Sequence, residues 1–396
     1  MFFEIVPALL LGVLAGCFTG LVPGIHTNLV VILLVSVSST IKEFLGDVGL
    51  LVFIVAMSVT HSFVSTIPSI YLGAPESGTS LSVLPGHKLL LEGKGYEAVK
   101  LTVVGSVLSV FICTLLYPFF RNTIYFLYSF FSDYIGHMLV LISVFLVFRT
   151  KTWRHNIYIF GLSGFLGYIV LSSNMDDPLF PLLSGLFGIA TLAYSLKTQS
   201  SFPKQEINSK INISEANGFL NSLFGTVAGF ITCILPGLGS STAAVICSFF
   251  KRESEAKEFL IMIGSITTVN FFMSLAALEV IDRARNGSIV GISELISNPP
   301  HQILFVSAIL SAAMAAVLCL FLAKICIKLL VKINYVILVK VVIALIFVLV
   351  YVITGFLGVY VLLLSFFLGY MVNLIGAPRN ILMSCILVPV TIFFLF

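Results

Sequence analysis

Apolar stretches of about 20 residues or more, nearly free of charge, follow one another along this chain, and a helix of that length crosses the hydrocarbon core of a bilayer. They run approximately over 5–38, 48–74, 98–120, 123–148, 156–172, 178–196, 219–250, 258–280, 302–331, 335–353, 355–375 and 380–396. Core helices of a large soluble protein would show a polar face between such stretches, and these do not. Apolar residues make up 59% of the 396 residues and charged residues 10%, against roughly a quarter charged in a soluble domain. The expectation is an all-α, polytopic, multi-pass protein of the cell membrane with about 9–12 helices, since several stretches exceed one crossing.

The net charge of +4 is small, and its Lys and Arg residues sit in short clusters between apolar runs. That is the pattern of cytoplasmic loops, not the contiguous basic face that nucleic acid requires. The seven cysteines are scattered in apolar surroundings, with no CxxC and no Cys/His spacing for zinc. Neither a metal site nor a bound cofactor is expected. Residues 1–7 carry Glu4 and no basic residue, so no cleavable signal peptide is expected there. HExxH, GxSxG and the Walker phosphate loop are all missing, so the chain is expected not to be an enzyme and to have no catalytic residues.

One polar stretch interrupts the pattern near the middle, at 197–217, with Lys197, Lys204 and Lys210. It divides the chain into an N-terminal transmembrane repeat (1–196), a linker (197–217) placed in the cytoplasm, and a C-terminal transmembrane repeat (218–396). The two sides echo each other. Residues 12–24 read GVLAGCFTGLVPG and residues 225–237 read GTVAGFITCILPG, sharing Gly12/Gly225, Ala15/Ala228, Gly16/Gly229, Thr19/Thr232, Pro23/Pro236 and Gly24/Gly237 at one shift of 213. Thr60-His61-Ser62-Phe63 against Thr268-Val269-Asn270-Phe271 is a weaker echo, and a charged Gly-containing segment follows in each half. Paired, pseudo-symmetric and inverted halves with broken or re-entrant helices are expected.

The chemistry centres on the Pro-Gly pair inside each apolar run. Proline removes a backbone donor and glycine loosens the helix, so the backbone should break, and hydrocarbon tolerates a break only beside protein or a water-filled cavity. Small polar residues follow: His26, Thr27 and Asn28 in one half, Gly239, Ser240, Ser241 and Thr242 in the other. Helices restarting there would aim free N–H groups and positive dipole ends at an anion. Gly24, Thr27, Asn28, Gly237, Gly239, Ser240 and Ser241 are therefore the candidate substrate-binding residues. The alternative is a Pro kink with small residues packing helices closely, which Gly12 and Gly16 suit. Thr60, His61, Ser62, Thr268 and Asn270 are candidates for ion coupling, because uncharged oxygens suit a dehydrated Na+ and His61 could carry H+. Interhelical hydrogen bonding would also explain them. Glu76 could couple protons or be solvated, Asp176-Asp177-Pro178 reads as a helix start, and Glu279 with Arg283 as an i,i+4 salt bridge.

The chain resembles the large membrane subunit, TctA type, of tripartite tricarboxylate transporters. The resemblance rests on the 12–24 motif, on Gly73-Ala74-Pro75-Glu76-Ser77-Gly78-Thr79-Ser80 with Pro85-Gly86-His87 and Glu92-Gly93-Lys94-Gly95, on Leu235-Pro236-Gly237-Leu238-Gly239, and on Arg379 through Pro389. It covers most of the chain, which is shorter than typical members and reads Pro-Gly-Ile-His-Thr-Asn in its first loop, as a compact divergent branch. It implies ion-gradient-driven uptake of carboxylates, with a small membrane subunit and an extracytoplasmic solute-binding protein as partners and Pro23–Asn28 and Pro236–Ser241 facing substrate.

The expectation is a cation-coupled secondary transporter of a small organic anion, a carboxylate, working by alternating access between the halves, with Na+ or H+ as coupling ion and a homodimer conceivable. A lipid-phosphate (polyprenyl-phosphate) flippase with the same paired breaks is the alternative. An intramembrane enzyme using His26 or His61 near Ser62 is the remaining one.

Overall fold

The computed structural model describes residues 2–22, 27–36, 38–73, 83–148, 152–175, 177–198, 203–207, 213–234, 243–244, 256–284, 286–330 and 334–396. The chain begins with α1 (Phe2–Leu21), α2 (Thr27–Ser36), α3 (Ser38–Val64), α4 (Thr66–Tyr71), α5 (Val83–Leu91) and α6 (Gly95–Phe131). Next come α7 (Ile135–Phe148), α8 (Trp153–Leu171), α9 (Leu179–Leu183) and α10 (Ala190–Thr198), the last two joined by a π-helical turn at Ser184–Ile189. Beyond the linker lie α11 (Glu215–Ile234), α12 (Ala256–Ile281), α13 (Gly287–Leu295) and α14 (His301–Leu330). The chain ends with α15 (Tyr335–Ile375), a 3-10 turn at Arg379–Met383, and α16 (Ser384–Leu395). No strand occurs among the described residues, and six helical runs within them are long and apolar enough to cross a membrane. The protein is an all-α, multi-pass membrane protein.

Two boundaries depart from the apolar pattern. Residues 98–120 and 123–148 were expected to be separate segments, yet α6 continues through Pro118 and Arg121 to Phe131. Arg121 does not end the helix because its guanidinium pairs with Glu279 of α12 at 3.1 Å, and the Tyr117 hydroxyl donates to the same carboxylate. Glu279 therefore does not pair with Arg283, which lies over the Tyr128 ring instead. At α15 the pattern holds. The helix is interrupted at Gly355 (φ 66°, ψ −162°), dividing it into two runs of about 20 residues, each long enough for one crossing.

Small residues bring the helices into close contact. A methyl on Gly12 would lie 2.6 Å from the Phe53 carbonyl oxygen, and one on Gly16 2.5 Å from that of Met57. Successive contacts climb both helices together, so α1 and α3 run parallel. In the other half a methyl on Gly225 would lie 2.6 Å from the Met262 carbonyl oxygen and one on Gly229 3.1 Å from that of Ile266, so α11 and α12 are parallel too. The long partners come from the opposite half. Helix α12 lies along α6, where Gly105 abuts the Ile261 carbonyl and Gly264 abuts the Thr102 carbonyl. Glu97 pairs there with Lys257 at 2.7 Å. Helix α3 lies along α14, where the Cys319 thiol donates to the Phe63 carbonyl at 3.2 Å and the Tyr71 hydroxyl to the Ala323 carbonyl at 3.3 Å.

These contacts fix direction. Gly95, at the start of α6, lies against Ile327, near the end of α14. Helix α6 therefore runs opposite to α14 and α3, and α12, which follows α6, runs opposite to α3. The two helix pairs are related by inversion, as the paired halves were expected to be. Polar linker residues mark one end of the stack. The Gln205 side chain accepts from the Gly95 amide at 3.0 Å and donates to the Leu90 carbonyl at 2.8 Å, while the Glu206 amide donates to the Gly93 carbonyl at 2.8 Å.

Two bundles result. One buried core joins α1–α6 to α11–α14. Two others join α7–α10 to α15 and α16. Each bundle takes helices from both halves of the sequence.

Candidate functional site

Parallel packing has a topological consequence for the Pro-Gly motifs. Leu21 ends α1 at one end of its pair with α3, whereas Gly46 sits beside Glu4 at the other end, its methyl position 3.0 Å from the carboxylate. The chain from Val22 to Leu45 must therefore recross the distance that α1 covers. Likewise Ile234 and Ala256 lie at opposite ends of the α11–α12 pair, so the chain between them recrosses too. In sequence, each Pro-Gly pair falls within such a return, and its structure lies outside the described residues.

Of the candidate substrate-binding residues, Thr27 begins α2 and is half-buried. Asn28 follows in the same first turn, where helix N–H groups have no intrahelical partner. The Asn28 side chain, and Gly24, Gly237, Gly239, Ser240 and Ser241 entirely, lie outside the described residues, as do Pro23, Pro236 and Glu76. From its start α2 crosses to the other half: Gly291 of α13 packs against Val31. Nearby the Ser58 hydroxyl of α3 donates to that of Ser288 at 2.8 Å.

Just before each break stands a threonine engaged twice. Thr19, four residues ahead of Pro23, donates its hydroxyl to the Gly16 carbonyl at 3.3 Å and lies 3.0 Å from Nδ1 of His61. Which of the two atoms donates in that contact is set by the tautomer of the His61 ring. Thr232, four residues ahead of Pro236, donates to the Gly229 carbonyl at 2.8 Å and accepts from Nδ2 of Asn270 at 3.2 Å. Both threonines are buried. The motif alignment named Thr19 and Thr232 as matched positions but offered no reason to single them out. Their partners show one, since His61 and Asn270 occupy equivalent places.

That equivalence corrects the weaker echo by one residue. The contacts of Gly12 with Phe53 and Ala56 recur as Gly225 with Met262 and Ser265, and Gly16 with Thr60 recurs as Gly229 with Val269, so the second helices match at a shift of 209. Thr60 and Thr268, aligned by sequence at 208, are not counterparts. A match of four residues in low-complexity sequence cannot fix register, whereas close backbone contact does.

Thr60 and Thr268 have a different interest. Each hydroxyl is buried without a hydrogen-bond partner, Thr60 at 0% exposure and Thr268 at 2%. Most buried polar atoms are satisfied, so each orphaned oxygen calls for an explanation such as a water or an ion. Ser62 is already spent on the Val59 carbonyl at 2.7 Å. No group of three or more His, Cys, Asp or Glu side chains suited to a metal ion occurs among the described residues.

Residues 6–384 match the tripartite tricarboxylate transporter TctA family. The chain is also 33% identical over 322 residues to an uncharacterized protein of Methanocaldococcus jannaschii, an alignment covering 78% of this chain and 77% of that one. No solved structure shows significant similarity. With a match over nearly its whole length, the chain belongs to the tripartite tricarboxylate transporter TctA family, whose members are multi-pass membrane permeases.

Proposed function

We propose that this chain moves a small organic anion of the carboxylate class by alternating access, driven by Na+ or H+. The observation that carries this reading is the recurrence, on helix pairs inverted relative to each other, of a buried threonine four residues ahead of a Pro-Gly pair in sequence, in contact with a polar side chain of the neighbouring helix. A helix broken at that pair would restart with N–H groups and a dipole that favour an anion. Gly24, Thr27, Asn28, Gly237, Gly239, Ser240 and Ser241 bind the anion in this reading. The orphaned Thr60 and Thr268 hydroxyls, with His61 and Asn270, serve the coupling ion.

The end marked by the linker carries Lys88, Lys94, Lys204, Lys324 and Lys328 beside Glu92 and Glu206, and the opposite end carries fewer basic residues, Lys42, Arg121 and Arg283, beside Glu4, Glu43, Asp47 and Glu279. By the positive-inside tendency the linker end faces the cytoplasm. Membership of a tripartite family supports two partners, a small membrane subunit and an extracytoplasmic solute-binding protein.

Uptake of radiolabelled carboxylates into vesicles tests the site. Asn28→Leu and Ser241→Leu should each abolish uptake at unchanged expression; full transport in both variants removes the site assignment.

A further inference from the structure

Arg379 follows α15 in the 3-10 turn before α16, and it is 9% exposed. It lies about two helical turns short of the α10 C-terminus, level with Thr191. Its Nε donates to Asn373 Oδ1 and its Nη1 to Thr191 Oγ1, each at 2.5 Å. Both acceptors are neutral, and no carboxylate pairs with Arg379 among the described residues. A guanidinium has five N–H donors. Two are engaged, so the Nη2 pair and the second Nη1 hydrogen remain, which is the edge that grips an oxyanion in bidentate fashion. A charged side chain inside a membrane protein is expensive and ordinarily marks a functional position.

The surroundings suit a ligand better than a structural strut. On the same face of α15, two turns before Asn373, Ser365 is fully buried with its hydroxyl unpartnered, and it packs on Gly185 in the π-helical turn. Turns of that kind recur at functional sites because they re-aim side chains within a helix. The position is also a joint. Thr191, Asn373 and Arg379 belong to the bundle of α7–α10, α15 and α16. Facing them from the other bundle, Gly73 lies against Leu192, where an added methyl would fall 3.0 Å from the leucine side chain.

We infer that Arg379, held by Thr191 and Asn373, binds a carboxylate group of the transported anion at the joint between the two bundles. This rests on the carboxylate reading above and adds a cationic recognition point to it. An anion bridging the bundles would be gripped or released as the joint closes or opens.

The test uses the full chain in nanodiscs of phosphatidylcholine, with melting temperature read against acetate, succinate and citrate. At least one should stabilise the wild type. Arg379→Gln should lose that shift or need roughly 30-fold more ligand, as expected when one partner of a buried charge pair is truncated. Arg379→Lys, which keeps the charge but not the fork, should fall between, and with Thr191→Val it carries the test should Arg379→Gln not fold. Equal shifts in wild type and Arg379→Gln, even with a lower ligand-free melting temperature, reduce the residue to a strut and overturn the inference while leaving the transporter reading intact. No shift in the wild type removes both. Phosphatidylglycerol nanodiscs separate the remaining source of an oxyanion. Stabilisation by that lipid which depends on Arg379, with carboxylate effects that do not, assigns the residue to a lipid phosphate and overturns the inference.

Discussion

Thr19 uses one oxygen for two contacts, one with the Gly16 carbonyl of its own helix and one with Nδ1 of the His61 ring. The second bond ties α1 to α3 at the last turn before the first break. Replacing Thr19 with Val keeps the shape but removes its bond to His61, a loss of about 0.5–1.5 kcal/mol. Thr19→Val should lower the thermal midpoint in detergent and reduce uptake, whereas Thr19→Ser should retain both. An unchanged midpoint in Thr19→Val would show that His61 is satisfied elsewhere. Thr19 stands in the sequence repeat, so its recurrence was visible, with nothing there to single it out. Its bond to His61 was not, because nothing in a string of apolar residues says which of several nearby polar side chains shares its level in the membrane.

Among the elements, α15 shows how far apolar spacing can be trusted. The gap between residues 353 and 355 foretold the interruption, and Gly355 adopts a positive φ there with open space where a side chain would go. The cost of Gly355→Ala is therefore one of backbone conformation and not of crowding, about 1–3 kcal/mol. The expected result is a lower melting temperature that trimming neighbouring side chains does not restore; restoration by trimming would point to a clash instead. Helix α6 shows the opposite. A proline and an arginine in close succession looked like a boundary, but Arg121 finds Glu279 on a helix from the other half, a partner no local reading supplies. Residues 203–207 were legible only as polar linker, while the structure uses Gln205 to hold the α5–α6 turn.

At the scale of the whole molecule, neither half has a complete core of its own. Gly105 and Gly264 bring the α6 and α12 backbones into direct contact, and Ser106 and Ser265 reinforce it with bonds of 3.0 and 2.9 Å to the opposing glycine carbonyls. A chain divided between residues 208 and 212 should yield fragments that are degraded when expressed singly and that copurify when expressed together. Stable, monodisperse single fragments would contradict the interleaved packing. Duplication was legible as a pattern, but the exchange of helices was not, because a repeat in sequence records ancestry and leaves open which copy each helix embraces. Because α1–α6 share a core with α11–α14, and α7–α10 with α15 and α16, the covalent thread passes between the two bundles at three places: after Phe131, after Thr198 and after Leu330. Any swivel of one bundle on the other must be absorbed there, so mechanical independence in this protein follows a seam that the order of its residues conceals.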